Sequence, residues 1–190
     1  DQRDFLPGCA ARATRHGNHA GAWCGDRAKD GPGRPAVTLA VRRWAIVPAA
    51  GQGSRFGAAL PKQYTPLLGR PLLSWTLAAL LAEPGIDGIV VSLAYDDDLW
   101  QGLAEFSDPR VRRCTGGTRR EHSVANGLDA LDGDVRDTDW VLVHDAARPC
   151  LRRCDLELLF ATLDADAVGG LLAVPVSDTL KREVGEQRAM

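Results

Sequence analysis

At 190 residues, 45% of them hydrophobic and 25% charged, with a formal charge of −2, the chain is long enough to bury most of its unfolded surface around one core without staples. Its longest apolar runs fall far short of the ~20 residues that span a bilayer, which excludes a membrane helix, and its charge balance excludes a nucleic-acid track, which wants a broad basic face. Positions 1–43 carry 8 basic against 4 acidic residues, leaving 15 against 21 in the remainder. A mildly acidic body with a few cations gathered in one loop suits a small anionic ligand.

Residues 1–43 are poor in large apolar side chains and show neither helical nor strand periodicity that could offset the entropy of ordering them. They are expected to be a disordered N-terminal extension. The stretch holds no serine, four aspartates and no long apolar core, so it matches neither a transit peptide nor a secretory signal. The five cysteines, at positions 9, 24, 114, 150 and 154, form no Cys-x-x-Cys pair and read as reduced thiols of a cytoplasmic protein. Cys150 and Cys154 are taken as packing residues rather than half a metal site.

The organising stretch is WAIVPAAGQGSRFGAALPKQYT, residues 44–65. Trp44 to Val47 reads as a strand buried on both faces. The glycines between Pro48 and Gly57 let backbone N–H groups approach an anion where a Cβ would collide. Gly51 and Gly53 fit the first two places of a dinucleotide fingerprint, but the sixth place is Phe56, and no Walker Gly-Lys-Ser/Thr follows. What remains is a loop of backbone donors flanked by Arg55 and Lys62, with no acid between them. That combination suits phosphate oxygens that gain charge during transfer; a surface turn bearing two solvated cations is the alternative.

Beyond the loop, Pro71 suits the first position of a helix over Leu72 to Leu81. Gly88 to Leu93 reads as a second buried strand. Asp96 to Phe106 reads as a helix with Leu99, Trp100, Leu103 and Phe106 on one face and Asp96, Asp97 and Asp98 favouring its dipole. Val111 to Cys114 is a third strand leading into Gly116-Gly117, followed by a helix from Arg120 to Leu131 with Val124, Leu128 and Leu131 inward. Trp140 to His144 is a fourth strand, Asp155 to Leu163 a helix, and Val168 to Val176 a fifth strand with a proline that suits an edge. Strand and helix alternate as in a parallel sheet, where ligands lie beyond the carboxyl ends of the strands. Both glycine turns should therefore face one crevice. Asp145, ending a buried strand before two small residues, stands where a ribose hydroxyl or a magnesium ion would sit, or else caps the following turn.

PAAGQGSRFGAALPKQY (48–64), GGTRREHSV (116–124) and VHDAARP (143–149) together resemble the nucleotidyltransferases that activate sugars and polyols, and within them the 2-C-methyl-D-erythritol 4-phosphate cytidylyltransferase family. The resemblance runs from Trp44 to Arg182. It implies a Rossmann-like three-layer α/β fold with a mostly parallel sheet, a nucleotidyltransferase domain over 44–182 and a short tail over 183–190. It implies transfer of CMP from CTP to a polyol phosphate with Mg²⁺ as the accompanying cation, in a homodimer. Arg55 and Lys62 take the catalytic roles; Ala49, Ala50, Gly51, Gly53, Gly117, Ser123, Asp145 and Ala146 take the nucleotide; Asp145, Arg148 and Thr179 take the polyol phosphate. Arg120 orders its loop, while His122 and His144 are given no chemistry. In the family a final strand and helix, the rest of a dimerisation arm, an arginine and a later lysine follow. On that comparison the chain looks C-terminally truncated, and weak CTP binding with little turnover is expected. A ribitol 5-phosphate or other sugar-phosphate nucleotidyltransferase, or an inactive fragment, remains the alternative.

Overall fold

A computed structural model of the chain describes residues 40–51 and 60–175. Of the extension expected to be disordered over 1–43, residues 1–39 lie outside them, as does the tail over 183–190; the extension's last two residues correct the expectation, since Arg43 opens the first strand and Arg42 is held by Asp139. The chain divides into two units: Asp26–Leu156, and a second that includes Glu157–Met190.

The first unit is built on four parallel strands, β1 (Arg43–Pro48), β4 (Gly88–Leu93), β5 (Val111–Thr115) and β6 (Trp140–Val143), in the order β5-β4-β1-β6. Between β1 and β4 lie a two-stranded antiparallel hairpin, β2 (Pro66–Leu67) and β3 (Arg70–Pro71), and helix α1 (Leu72–Leu81). Helix α2 (Arg120–Asp129) follows β5, and α3 (Arg153–Leu163) follows β6.

The two central strands are apolar runs because both faces of the sheet are covered. Ala45, Ile46, Val47, Ile89 and Val91 are fully buried and Val90 nearly so; each buried Val or Ile contributes roughly 1.5–3 kcal/mol. Ile46 and Val90 face one way and pack with Trp44 and Leu131, which lies two residues beyond the end of α2. Helix α2 lies over β1, β4 and β5. Its approach is close: a Cβ added at Gly127 would stand 2.7 Å from the Ile46 side chain.

That close approach corrects one expectation. The inward residues of α2 are Ser123 and Gly127, while Leu128 is exposed and Val124 half-buried. A helix seated this tightly on a sheet presents its smallest side chains to it, and Leu131 fills the space beyond the helix end. Pro71, too, stands just before α1 rather than inside it, with its extended ψ of 145° pairing it into the hairpin. The hairpin itself, turning at Leu68 and Gly69 with φ of 51° and 79°, has only one glycine to announce it.

No α-helix forms over 96–106. Two 3-10 turns, Leu99–Gly102 and Ala104–Ser107, are separated by Leu103 in an extended conformation at φ −96°, ψ 119°. Leu103 is the buried member of the set, Leu99 is exposed, and Trp100 and Phe106 stack on each other with ring centroids 5.2 Å apart. Asp97 serves the backbone of Leu99 and the hydroxyl of Tyr64 instead of a helix dipole.

In the second unit, the end of α3 leads to residues 164–175, and no strand forms over 168–175. Gly169 has φ 112° and Val168, Leu171 and Val174 are exposed, Val168 at 93%. An apolar run becomes a strand only when a neighbour takes its ladder of hydrogen bonds, and Pro175 donates none. Cys150 and Cys154 are exposed free thiols, which overturns their reading as packing residues. Only the second of them lies on α3.

Candidate nucleotide site

The four strands of the first unit end on the same side, and their outgoing turns are made of small residues. β1 runs into Ala49, Ala50 and Gly51; β4 into Ala94 and Tyr95; β5 into Gly116 and Gly117; β6 into His144, Asp145 and Ala146. The chain progresses outward from β1 through β4 to β5 and then returns to β1's other side with β6, so these turns meet at a point where strand order reverses.

The two glycine turns touch. A Cβ at Gly116 would lie 2.5 Å from the Ala50 Cβ and 2.9 Å from the Ser123 hydroxyl, and one at Gly117 would lie 2.3 Å from the His122 Cβ. Both glycines are therefore demanded by packing. Gly51 differs, since a Cβ there meets nothing within 4 Å; what its missing side chain leaves is open crevice. One cavity of about 570 Å³ lies among Ala50, Gly51, Tyr95, Gly116 and Gly117, and another of about 200 Å³ among Gly51, Gly117, Arg120, Ser123 and Asp145.

Ser123 is buried in the first turn region of α2. Its hydroxyl accepts from the Gly117 N–H at 3.0 Å and lies 3.2–3.3 Å from the Arg119 and Gly117 carbonyls, so it fixes the shape of its own loop. Ala49 is likewise consumed by the fold: its N–H donates to Ser92 and its carbonyl accepts from the buried Gln63 side chain at 2.7 Å. The Ala146 carbonyl accepts from the buried Thr76 hydroxyl at 2.9 Å.

Lys62 is exposed and opens a 3-10 turn, Lys62–Tyr64, whose other two residues are buried. Gln63 anchors this turn to the end of β1, and the Tyr64 hydroxyl donates to Asp97 at 2.7 Å beyond β4. Burial first, and then the Asp97 carboxylate, holds the Tyr64 phenol well above its ordinary pKa, so it is a constant donor. These two anchors were not singled out from the sequence, where Lys62-Gln63-Tyr64 reads as a continuation of the motif. The signal lies in Gln63, a long amide placed between a lysine and a tyrosine just after a proline.

Asp145 stands at the mouth with two guanidiniums. Arg120 donates to one carboxylate oxygen at 2.9 Å and Arg148 contacts the other at 2.8 Å. The turn after β6 is closed by the Arg148 N–H on the Asp145 carbonyl, not by the side chain. The His144 ring holds the Arg148 carbonyl at 2.9 Å, and His122 is exposed. Thus Ala50, Gly51, Gly117, Ser123 and Asp145 come together around one crevice, with Arg148 paired to Asp145; Lys62 lines neither of the two cavities, and its tie to the end of β1 runs through its neighbour Gln63. Gly53, Arg55 and Thr179 lie outside the described residues. Among the described residues no group of three or more His, Cys, Asp or Glu is gathered, and no helix is long and apolar enough to cross a membrane.

The family model described as 2-C-methyl-D-erythritol 4-phosphate cytidylyltransferase matches residues 44–189. A protein of that name from Dechloromonas aromatica (strain RCB) is 59% identical over 150 residues, covering 77% of this chain and 65% of its own length. One from Pseudomonas putida (strain GB-1) is 53% identical over 146 residues, covering 76% and 62%. Among solved structures, a 4-diphosphocytidyl-2C-methyl-D-erythritol synthase is 35% identical with a TM-score of 0.68, covering 79% of this chain and 67% of that one. The Francisella tularensis 2-C-methyl-D-erythritol 4-phosphate cytidylyltransferase is 32% identical with a TM-score of 0.55, covering 66% and 54%. The chain thus spans roughly 60 to 65% of the length of the curated relatives it matches. With a matched core that begins at β1 and holds both glycine turns and Asp145, the chain belongs to the 2-C-methyl-D-erythritol 4-phosphate cytidylyltransferase family.

Proposed function

We propose that the chain carries the nucleotide half of a cytidylyltransferase that transfers CMP from CTP to 2-C-methyl-D-erythritol 4-phosphate in isoprenoid synthesis, in the cytoplasm. The observation that carries this reading is the meeting of two glycine turns, Gly51 and Gly116-Gly117, with Asp145 between two arginines at the carboxyl ends of four parallel strands. Family membership supports the choice of CTP and of the polyol phosphate.

An oxygen of the acceptor phosphate attacks the α-phosphorus of CTP; a new P–O bond forms, the bond to the β-phosphate breaks, and pyrophosphate leaves with its electron pair. The attacking oxygen is already ionised at neutral pH, so no side chain need remove a proton, in keeping with a His144 ring occupied by a backbone carbonyl. The work left for the protein is alignment and charge neutralisation. Lys62, joined by Arg55, stabilises the charge that builds on the phosphates. Ala50 and Gly51 bring backbone groups close to them, a role Gly53 shares in this reading, and Ala49 fixes where that loop starts. The Gly117 carbonyl can accept from the 4-amino group of cytosine, and Ser123 sets its direction. Asp145, with the small Ala146 behind it, receives the ribose hydroxyls.

Arg148 and Arg120 are highly exposed partners of Asp145. An exposed ion pair is worth at most about 1 kcal/mol, so either guanidinium can trade the carboxylate for a phosphate; Arg148 and Thr179 are the polyol-phosphate contacts. Mg²⁺ retains water and phosphate oxygens and takes few protein ligands, which one carboxylate at the crevice mouth, Asp145, fits. When bound it neutralises phosphate oxygens. A homodimer is part of the same reading, and the exposed Val168, Leu171 and Val174 offer apolar surface for a neighbour to cover.

The test is a panel of acceptors incubated with radiolabelled CTP and Mg²⁺. Label, in the small amount that little turnover allows, is expected in a CDP-polyol only with 2-C-methyl-D-erythritol 4-phosphate; transfer to ribitol 5-phosphate or to a sugar phosphate in its place overturns the assignment.

A further inference from the structure

We propose that Tyr95 is the platform on which the pyrimidine ring of the nucleotide stacks. The inference rests on the nucleotide reading of this site and adds a residue to it.

Tyr95 lies two residues beyond the end of β4 and is 92% exposed, the most solvated large aromatic side chain among the described residues. Among the described residues its hydroxyl makes no hydrogen bond and its ring meets no other ring. The backbone beneath it is fixed, because the Asp97 N–H donates to the Ala94 carbonyl at 3.2 Å and makes Tyr95 the outer corner of a turn. Packing does not explain the side chain; location does. Tyr95 borders the cavity of about 570 Å³ between Ala50-Gly51 and Gly116-Gly117. Among its described lining residues only Tyr95 and Thr118 carry more than a methyl group, and only Tyr95 carries a ring.

A base in that cavity has two requirements. Its polar edge needs hydrogen-bond partners, which the backbone of the glycine turns can supply. Its flat faces need apolar cover, which alanine and glycine supply poorly and an aromatic ring supplies well. Stacking asks only for rotation about the two side-chain torsions of Tyr95, with no displacement of the strand. The contact reads the base rather than the phosphates, so it strengthens any nucleotide that enters while leaving phosphate binding untouched.

The experiment is calorimetric titration of the 190-residue chain and of Tyr95→Ala and Tyr95→Phe with CTP and, separately, with inorganic triphosphate, both in Mg²⁺. Because the residue lies almost wholly in solvent, neither substitution disturbs the fold, which circular dichroism checks. Tyr95→Ala is expected to weaken CTP by roughly 5- to 150-fold, the span of aromatic–base stacking. Tyr95→Phe, which keeps the ring, restores the parent affinity, and triphosphate binds all three chains alike. A Tyr95→Ala chain that binds CTP as tightly as the parent overturns the stacking role alone, as does one that loses CTP and triphosphate equally. A parent that takes up no CTP overturns the nucleotide reading itself, and the stacking role with it.

Discussion

The two ends of the sheet each hold an aspartate between two arginines, yet they are built to opposite purposes. At the amino-terminal end, the Asp139 side chain is 0% exposed and takes the Arg42 and Arg136 side chains together with both of their backbone N–H groups. This ties the entry of β1 to the entry of β6. Beside it the guanidiniums of Arg42 and Arg112 lie over the Trp44 ring at 5.2 and 5.5 Å, and a Cβ at Gly88 would collide with that ring at 2.4 Å. At the carboxyl-terminal end, Asp145 is 30% exposed and its arginines 61% and 75%, among alanines and glycines with open cavities between them. A buried, fully hydrogen-bonded carboxylate is lost only at high cost, whereas an exposed pair exchanges partners almost freely. One end locks the sheet; the other keeps its charges available for a ligand.

The largest effect expected is at the open end. In a full-length enzyme of this family, Lys62→Ala should lower pyrophosphate release by about 10²–10³, roughly 3 to 4 kcal/mol, with little change in melting temperature because the residue is exposed. Near-parental turnover would remove Lys62 from the transition state. Next is the locked end: Asp139→Asn should cost about 2 to 3 kcal/mol in urea unfolding, since two arginines and two N–H groups lose charged acceptance, while CTP affinity of the folded chain stays the same. If affinity falls with stability, the ends are not separable.

Acid sharpens the same contrast. The Arg136 guanidinium first, opposed by burial and helped by the Arg42 and Arg136 N–H groups, holds the Asp139 carboxyl far below its ordinary value. Burial would raise Glu105, but hydrogen bonds from Ser74 and Arg70 outweigh it and hold that carboxyl low as well. A carboxyl depressed in the folded state adds stability that is fully present above its unfolded pKa and is lost as pH falls toward its folded one. Unfolding free energy should thus decline below about pH 4, by up to about 1.4 kcal/mol per pH unit for each such group, and Asp139→Asn should flatten that decline. The smallest effect is expected for Asp145→Asn: stability within about 1 kcal/mol of the parent, and CTP affinity reduced by several-fold through one weakened ribose hydrogen bond.

What the sequence disclosed follows from how local each cause is. Strand β4 occupies 88–93 as expected, because a buried apolar run between glycine and a turn has few other options, and α1 covers 72–81 for a similar reason. The meeting of the two glycine turns was legible from motif and topology together. The helix expected over 96–106 failed because an amphipathic pattern was there but Leu103 is drawn into the core in an extended conformation, leaving turns too short to be α-helical. The inward face of α2 was misjudged because Gly127 is set by the nearness of Ile46, a contact that no helical period encodes. Each of Asp139 and Asp145 has one arginine three residues away and one that the sequence hides: Arg42 is 97 residues from the first and Arg120 is 25 from the second. Pairings of that kind belong to the folded chain.

The most direct test is to record ¹H–¹⁵N spectra of the 20.4 kDa chain during titration with CTP and Mg²⁺. Shifts are expected at Ala50, Gly51, Tyr95, Gly116, Gly117 and Ala146, with Trp44, Gly88 and Asp139 unmoved. Saturable shifts centred on the Asp139 end, or none at the glycine turns, would contradict the division of labour between the two ends of this sheet.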